Sequence, residues 1–336
     1  MTITIGWDIG GAHLKAARAE AGQVVAAAQS PTPLWQGLDR LDAAFVELAG
    51  RLGPADAHGV TMTGELCDAF ASRREGVAGL AAIAARHLPS PRFYAGAAGF
   101  VALAEAGERA REIASANWRA SAQAVAPKAP EALLIDIGST TTDLIPIVGG
   151  AVAAIGADDA GRLAAGELVY TGLTRSFVMA MAARAPFAGQ WTPLMNEYFA
   201  SAADVRRVLG DLASAYLMAT ADGRDKSAAA SRARLARMIG REAEEAPQAA
   251  WARLAGWFAE AQIRDICDAV HLRLSRGDLG PGALAVVAGA GEAVGREIAR
   301  RLGMESLSFA ELTGGGGDAS LCAPAAAVAL LLANVL

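Results

Sequence analysis

Lysine is nearly missing from this chain. Of 30 basic residues only Lys15, Lys128 and Lys226 are lysines, so arginine carries the positive charge. The net charge is −5, which leaves no basic surplus to bind a nucleic acid backbone. Cysteine is scarce too: Cys67, Cys267 and Cys322 stand far apart with no CxxC pair, which excludes a disulfide framework and a structural zinc site. That usage fits a reducing cytoplasm. No apolar run reaches the roughly 20 residues that span a bilayer. The nearest, CAPAAAVALLLANVL at 322–336, is too short, and Pro324 suits a first helical turn, so a buried terminal helix is expected and no membrane contact. Asp8 interrupts the first apolar run before a signal peptide core could form.

What is present is a repeated sentence. Sliding the chain by 128 positions lays Asp8-Ile9-Gly10 on Asp136-Ile137-Gly138, and Gly22, Val24 and Ala26 on Gly150, Val152 and Ala154. The 336 residues suffice for about two domains. The duplication implies two related halves with a cleft between them. Residues 2–8 and 23–29 read as the two strands of a hairpin, followed by a helix over 38–52, a strand over 59–63, a helix over 76–88 and a strand over 92–96. A helix around 101–120 closes the first half, and the stretch SAQAVAPKAPE at 121–131 is a candidate boundary. Leu133–Asp136 restarts the pattern, residues 160–275 read as mostly helical, and a strand over 283–288 runs into a helix over 292–302. The alternation predicts an α/β protein with mixed sheets flanked by helices. The expected lobes are 1–130 and 131–321, the second with a helical insertion about 176–275, and the helix at 322–336 returning to the first.

Three glycine loops carry the chemistry. In WDIGGAHLK, Gly10 and Gly11 allow a tight turn that exposes consecutive N–H groups to an anion. Asp8 at the strand end fits a Mg²⁺ ligand beside a phosphate, and His13 and Lys15 reach the same place; the plainer reading is a turn capped by an aspartate. In DIGSTTTD, Gly138 is followed by Ser139, Thr140, Thr141 and Thr142, hydroxyls that can bond a phosphate without adding charge, or else a threonine strand facing solvent. Asp136 repeats Asp8 as a metal ligand. Facing each other, the two loops would grip one polyphosphate. The third loop, VVAGAGEAVG, places Gly289 and Gly291 between a strand and a helix, either to hold a nucleoside such as that of ATP or ADP, or to pack the helix tightly on the strand. The TGGGGD run at 313–318 reads as a flexible loop without chemistry.

These loops, in this order, resemble the acetate-and-sugar-kinase, Hsp70 and actin superfamily over nearly the whole chain. The resemblance implies two actin-like (ribonuclease H-like) lobes around a central cleft. IGWDIGGAHLKA, TMTGELCDAF (61–70), ELVYTGLTR (167–175) and ATADGRDKS (219–227) further resemble hydantoinase/oxoprolinase-related proteins of tetrahydromethanopterin-linked one-carbon metabolism. That resemblance implies a cytoplasmic transferase of methanofuran or methylofuran biosynthesis. Such an enzyme joins an aminomethylfuran-methyl diphosphate to a tyramine- or tyrosine-type phenol and releases pyrophosphate.

The loops are compatible with that reaction. Breaking a furfuryl C–O bond leaves a resonance-stabilised cation and puts charge on the departing diphosphate. Mg²⁺ at Asp8 and Asp136, with Lys15 and the Thr140–Thr142 hydroxyls, would stabilise it. The phenol, with a pKa of about 10, needs a base. Glu65 after the Thr-Gly turn is the first candidate, with Asp8 and His13 as alternatives and Asp68 as a helix cap. Asp222, Arg224 and Lys226 form either a lid over the diphosphate or a solvated turn, and Tyr170, Thr171, Gly172 and Arg175 are candidates to line the cleft. The competing reading is an ATP-dependent kinase of a small molecule; a non-catalytic nucleotide-sensing regulator ranks last. A homo-oligomer is one option that the sequence leaves open.

Overall fold

The computed structural model describes residues 2–212 and 218–336. Part of the expected helical stretch, residues 213–217, lies outside the described residues. Six strands build the first sheet: β1 (Ile3–Ile9), β2 (His13–Glu20), β3 (Gln23–Pro31), β4 (Ala57–Met62), β5 (Arg92–Tyr94) and β6 (Phe100–Val101), in the order β3-β2-β1-β4-β5-β6. In the second half come β7 (Ala132–Ile137), β8 (Thr142–Val148), β9 (Ala151–Val152), β10 (Leu168–Val169), the hairpin β11 (Arg184–Phe187) and β12 (Gln190–Pro193), β13 (Leu284–Ala288) and β14 (Ser306–Ser308). The second sheet runs β10-β8-β7-β13-β14, with β9 on β8. Both sheets are mixed, and helices flank them.

The duplication is visible in the register. On β1 and β2, antiparallel, Asp8 lies opposite Lys15; on β7 and β8, also antiparallel, Asp136 lies opposite Asp143. β1 then pairs in parallel with β4, and β7 in the same way with β13. The same offset of 128 therefore relates Asp8 to Asp136 and Lys15 to Asp143.

Two local expectations are corrected. Strands 2–8 and 23–29 are not hairpin partners, because HLKAARAE is itself a strand that pairs with both. Its alanines are weak strand formers, and burial between two neighbours overrides their preference. The helix expected around 101–120 is broken: a short helix Ala110–Ile113 and a longer one, Asn117–Val125, flank Ser115, whose φ of 51° lies in the left-handed region. The region 160–275 also holds the β11–β12 hairpin, where Ala188 and Gly189 both take positive φ and turn the chain in two residues.

The helix Ala323–Ala333 is apolar on every side, as only a buried helix can be. It packs on β1, β2 and β4 and against Asn117–Val125, in a core that also receives Ile145, Ile147 and Val286 from the second sheet. Its approach to β1 is close enough that a Cβ on Gly6 would meet the Ala325 carbonyl oxygen at 2.0 Å. Thr4 completes the contact by donating its hydroxyl to the Ala329 carbonyl at 2.8 Å. Helices Asp39–Leu52 and Arg73–His87 cover the opposite face of the first sheet. Gln248–Leu274 and Glu292–Arg301 cover the outer face of the second. Residues from Val178 to Ala259 form a further core around Trp251 and Phe258. No helix among the described residues is long and apolar enough to cross a membrane.

Candidate active site

The duplicated strand ends meet at a cleft of about 480 Å³ lined by both halves. From the first come Asp8, Gly10, Gly11, His13, Lys15, Asp68 and Ser115; from the second come Asp136, Gly138, Ser139, Thr140, Thr141, Asp143, Asp159, Arg162 and Arg175. The placement follows from the strands. Asp8 and Asp136 are next-to-last residues of β1 and β7, and each is followed by a tight turn into the next antiparallel strand. In both turns the glycine N–H is spent internally, Gly10 on the His13 carbonyl and Gly138 on the Thr141 carbonyl. The N–H groups of Gly11, Ala12, Ser139 and Thr140 have no hydrogen-bond partner among the described residues, so they remain available to an anion.

Charge in the cleft is unbalanced. Burial pushes the Asp8 carboxyl up to about 6, opposed by Lys15 and the Asn117 side chain. Asp136 is pushed up to about 7, first by burial and next by the neighbouring Asp143, with Lys15 opposing. Burial also raises Asp143, although the buried guanidinium of Arg162 is ion-paired to it. One oxygen of Asp8, Oδ1, is buried with no partner. The Lys15 ammonium makes no ion pair among the described residues. His13 is held down to about 4 by burial and by the cations Lys15 and Arg175, so it is neutral at physiological pH. Arg175 lies over the Trp35 ring, 4.6 Å from its centroid, and its Nη1 donates to the Thr140 hydroxyl at 3.4 Å.

Not every expected site residue comes to this place. Thr142 is turned away by strand alternation and donates its hydroxyl to the Thr171 carbonyl at 2.8 Å. Gly289 and Gly291 do not line the cleft. The Gly289 N–H donates to Ser320 and the Gly291 N–H to Ile137, both at 2.9 Å, and a Cβ on Gly289 would meet the Ile137 carbonyl at 2.3 Å. Close packing of helix on strand accounts for both glycines. Arg224 and Lys226 line a separate hollow with Arg40, Pro33 and Gln36, whereas Trp35 between the last two faces the main cleft. Asp222 is pinned by Arg234 at 3.1 Å, and Arg234 in turn bonds the fully buried Asp204 at 2.8 Å, so this turn is anchored away from the cleft. Glu65 does not line the cleft either. It is 1% exposed and sits beneath Ser115, whose hydroxyl donates to Glu65 Oε1 at 2.8 Å. Tyr170 and Arg175 do line it, while Thr171 and Gly172 bond Ser176 and Gln262 behind it.

Sequence reasoning missed Asp143, Asp159, Arg162, Ser115, Asn117 and Trp35. The signal for Asp143 was present, because the shift that pairs Asp8 with Asp136 sends Lys15 to Asp143.

Residues 56–335 match the profile of the family described as hydantoinase/oxoprolinase. Over 99% of this chain and 98% of the relative, the chain is 29% identical to the (4-{4-[2-(gamma-L-glutamylamino)ethyl]phenoxymethyl}furan-2-yl)methanamine synthase of Methanocaldococcus jannaschii. The protein of the same name from Methanococcus vannielii is 35% identical over 32% of this chain and 48% of its own. Among solved structures, component A of the (R)-2-hydroxyglutaryl-CoA dehydratase of Acidaminococcus fermentans is similar with a TM-score of 0.48 and 13% identity, over 98% of this chain and 97% of that one. With most of its length matched, this chain belongs to the hydantoinase/oxoprolinase family.

Proposed function

We propose that this protein is a transferase that forms an aryl furfuryl ether. It joins an aminomethylfuran-methyl diphosphate to the hydroxyl of a tyramine- or tyrosine-type phenol and releases pyrophosphate, in methanofuran or methylofuran biosynthesis. The observation that carries this reading is the end-to-end likeness to the M. jannaschii synthase, whose name describes such an ether between a phenol and a furan methylene.

The cleft suits the diphosphate. Its lining holds five aspartates, Asp8, Asp68, Asp136, Asp143 and Asp159, against the cations Lys15, Arg162 and Arg175. A diphosphate entering that field needs a divalent cation with it. The residues fit Mg²⁺: Asp8 and Asp136 are carboxyls pushed up chiefly by burial, which Lys15 only partly offsets, and Asp8 Oδ1 is unpartnered. Mg²⁺ keeps several waters and shares phosphate oxygens, so one or two carboxylates suffice to hold it. Bound there, Mg²⁺ would neutralise charge on the leaving diphosphate.

The chain's own groups do the rest. Lys15 and the N–H groups of Gly11, Ala12, Ser139 and Thr140 hold the phosphate oxygens, and the hydroxyls of Ser139, Thr140 and Thr141 add donors. Arg175, braced on Trp35, closes one wall. As the carbon–oxygen bond lengthens, charge grows on oxygens these donors already face, so they bind the transition state better than the substrate.

The test is incubation of the purified protein with 5-(aminomethyl)furan-3-methyl diphosphate, tyramine or γ-glutamyltyramine, and Mg²⁺, following pyrophosphate release and the ether product by mass spectrometry. Turnover that needs both organic substrates supports the reading. No release, together with tight ATP binding and phosphate transfer to a small molecule, overturns it in favour of a kinase.

A further inference from the structure

A phenol with a pKa of about 10 must lose its proton as its oxygen attacks. The groups that hold the diphosphate are poor candidates to take it. His13 is neutral but lies among cations, and Asp8 and Asp136 are assigned above to the metal–diphosphate pair. Ser115, which also lines the cleft, belongs to a different arrangement.

At the break between the helices Ala110–Ile113 and Asn117–Val125 the chain bends through Ser115. A bridge between Ala114 and Met62, at the end of β4, fixes that bend against the sheet. Its φ of 51° is a conformation that glycine adopts freely and serine does not. The hydroxyl faces the cleft on one side and donates to Glu65 Oε1 at 2.8 Å on the other. Glu65 has no other route outward: it is 1% exposed, and its second oxygen, Oε2, is buried without a partner. A purely structural pin would leave neither an unpartnered carboxylate oxygen nor a strained serine.

Charges around the pair decide which carboxylate accepts a proton. Ser115 Oγ also lies 3.3 Å from Asp159 Oδ2, but the Asp159 oxygens are already engaged by the guanidiniums of Arg73 and, at 3.6 Å, Arg162. Glu65 is raised by burial and by Asp159, while Ser115 and the more distant Arg73 act the other way. Its proton affinity therefore exceeds that of an ordinary glutamate.

We infer that Ser115 and Glu65 form a proton relay that deprotonates the acceptor phenol. The inference rests on the transferase reading above. The phenol O–H passes its proton to Ser115 Oγ while the Ser115 proton moves to Glu65 Oε1. The phenolic oxygen forms its bond to the furan methylene, and the methylene–oxygen bond breaks with its electron pair leaving on the diphosphate. Ether, pyrophosphate and a protonated Glu65 result.

The experiment compares the wild type, Ser115→Gly and Glu65→Gln with two acceptors, tyramine and a ring-fluorinated tyramine whose phenol ionises near neutral pH. Glycine relieves the left-handed strain, so Ser115→Gly keeps the fold while removing the hydroxyl. Both variants should lose about 10²–10⁴-fold in kcat with tyramine, the range of a positioned general base, with the KM for the diphosphate unchanged. With the fluorinated phenol the loss should shrink at least tenfold, and the rising limb of the pH–rate profile should vanish in Glu65→Gln. Equal losses with both phenols at every pH, or a fully active Ser115→Gly, overturn the relay and leave the transferase reading standing. A wild type that releases no pyrophosphate with either phenol overturns both.

Discussion

Replacing Asp136 by asparagine should make the ligand-free protein more stable while removing its ability to hold the metal–diphosphate pair. The Asp136 carboxyl ionises near 3.8 in an exposed setting and is pushed to about 7 by burial and by Asp143. A folded-state pKa raised in this way means that the folded protein binds the proton more tightly than the unfolded chain. Stability from this group is therefore fully present below 3.8 and declines as pH rises to about 7, then stays level. Three pH units at 1.36 kcal/mol each give about 4 kcal/mol at pH 8 and about 2 kcal/mol at pH 5. An asparagine carries no such term. Urea denaturation without Mg²⁺ should show Asp136→Asn more stable than wild type by several kcal/mol at pH 8, with the gap narrowing toward pH 5. Adding Mg²⁺ and pyrophosphate at pH 8 should raise the wild type and leave the variant unmoved. A variant no more stable than wild type at pH 8, or a gap that does not depend on pH, would show that the Asp136 carboxyl is not held up in the folded protein.

Three further outcomes follow from the packing and the charges. Gly6→Ala places a Cβ 2.0 Å from the Ala325 carbonyl and should cost several kcal/mol, read as a lower urea midpoint or as insoluble protein. Arg234→Met strips the fully buried Asp204 of its closest cation and should destabilise by about 3–5 kcal/mol, with the Asp222 turn becoming sensitive to limited proteolysis. His13→Gln should leave the pH–rate profile between 5 and 8 unchanged, because His13 is held near 4; a lost limb in that range would show that it titrates there.

The parts of this molecule that sequence made legible are those that the duplication repeats. Asp8 and Asp136 were readable because each ends an apolar strand before a glycine turn, and both line the cleft. The β2 strand was not, since its alanines suit a helix as well as a strand and only sheet neighbours decide. Ser115 was hidden inside what reads as one continuous helical run; the left-handed break leaves no trace in residue type, because glycine is the residue that would have announced it. Gly289 and Gly291 look like a nucleotide loop for a real steric reason, close approach of helix to strand, but what Gly289 approaches is the Ile137 carbonyl and the Asp136 carboxylate, and what Gly291 approaches is the Ile137 side chain. Glu65 was picked out by its turn, and what sequence could not show is that a serine some 50 residues later stands between it and the cleft.

The helix Ala323–Ala333 seats itself on β1, more than three hundred positions upstream, and it fills the space that Gly6 leaves open. On a ribosome making the chain from its first residue, the first sheet emerges early and waits with one face bare until nearly the last of these residues has been added. Chains halted in the second half expose that face, an apolar, strand-rich surface of the kind chaperones hold and proteases clear. The first sheet is thus closed only once the helix Ala323–Ala333 has been made.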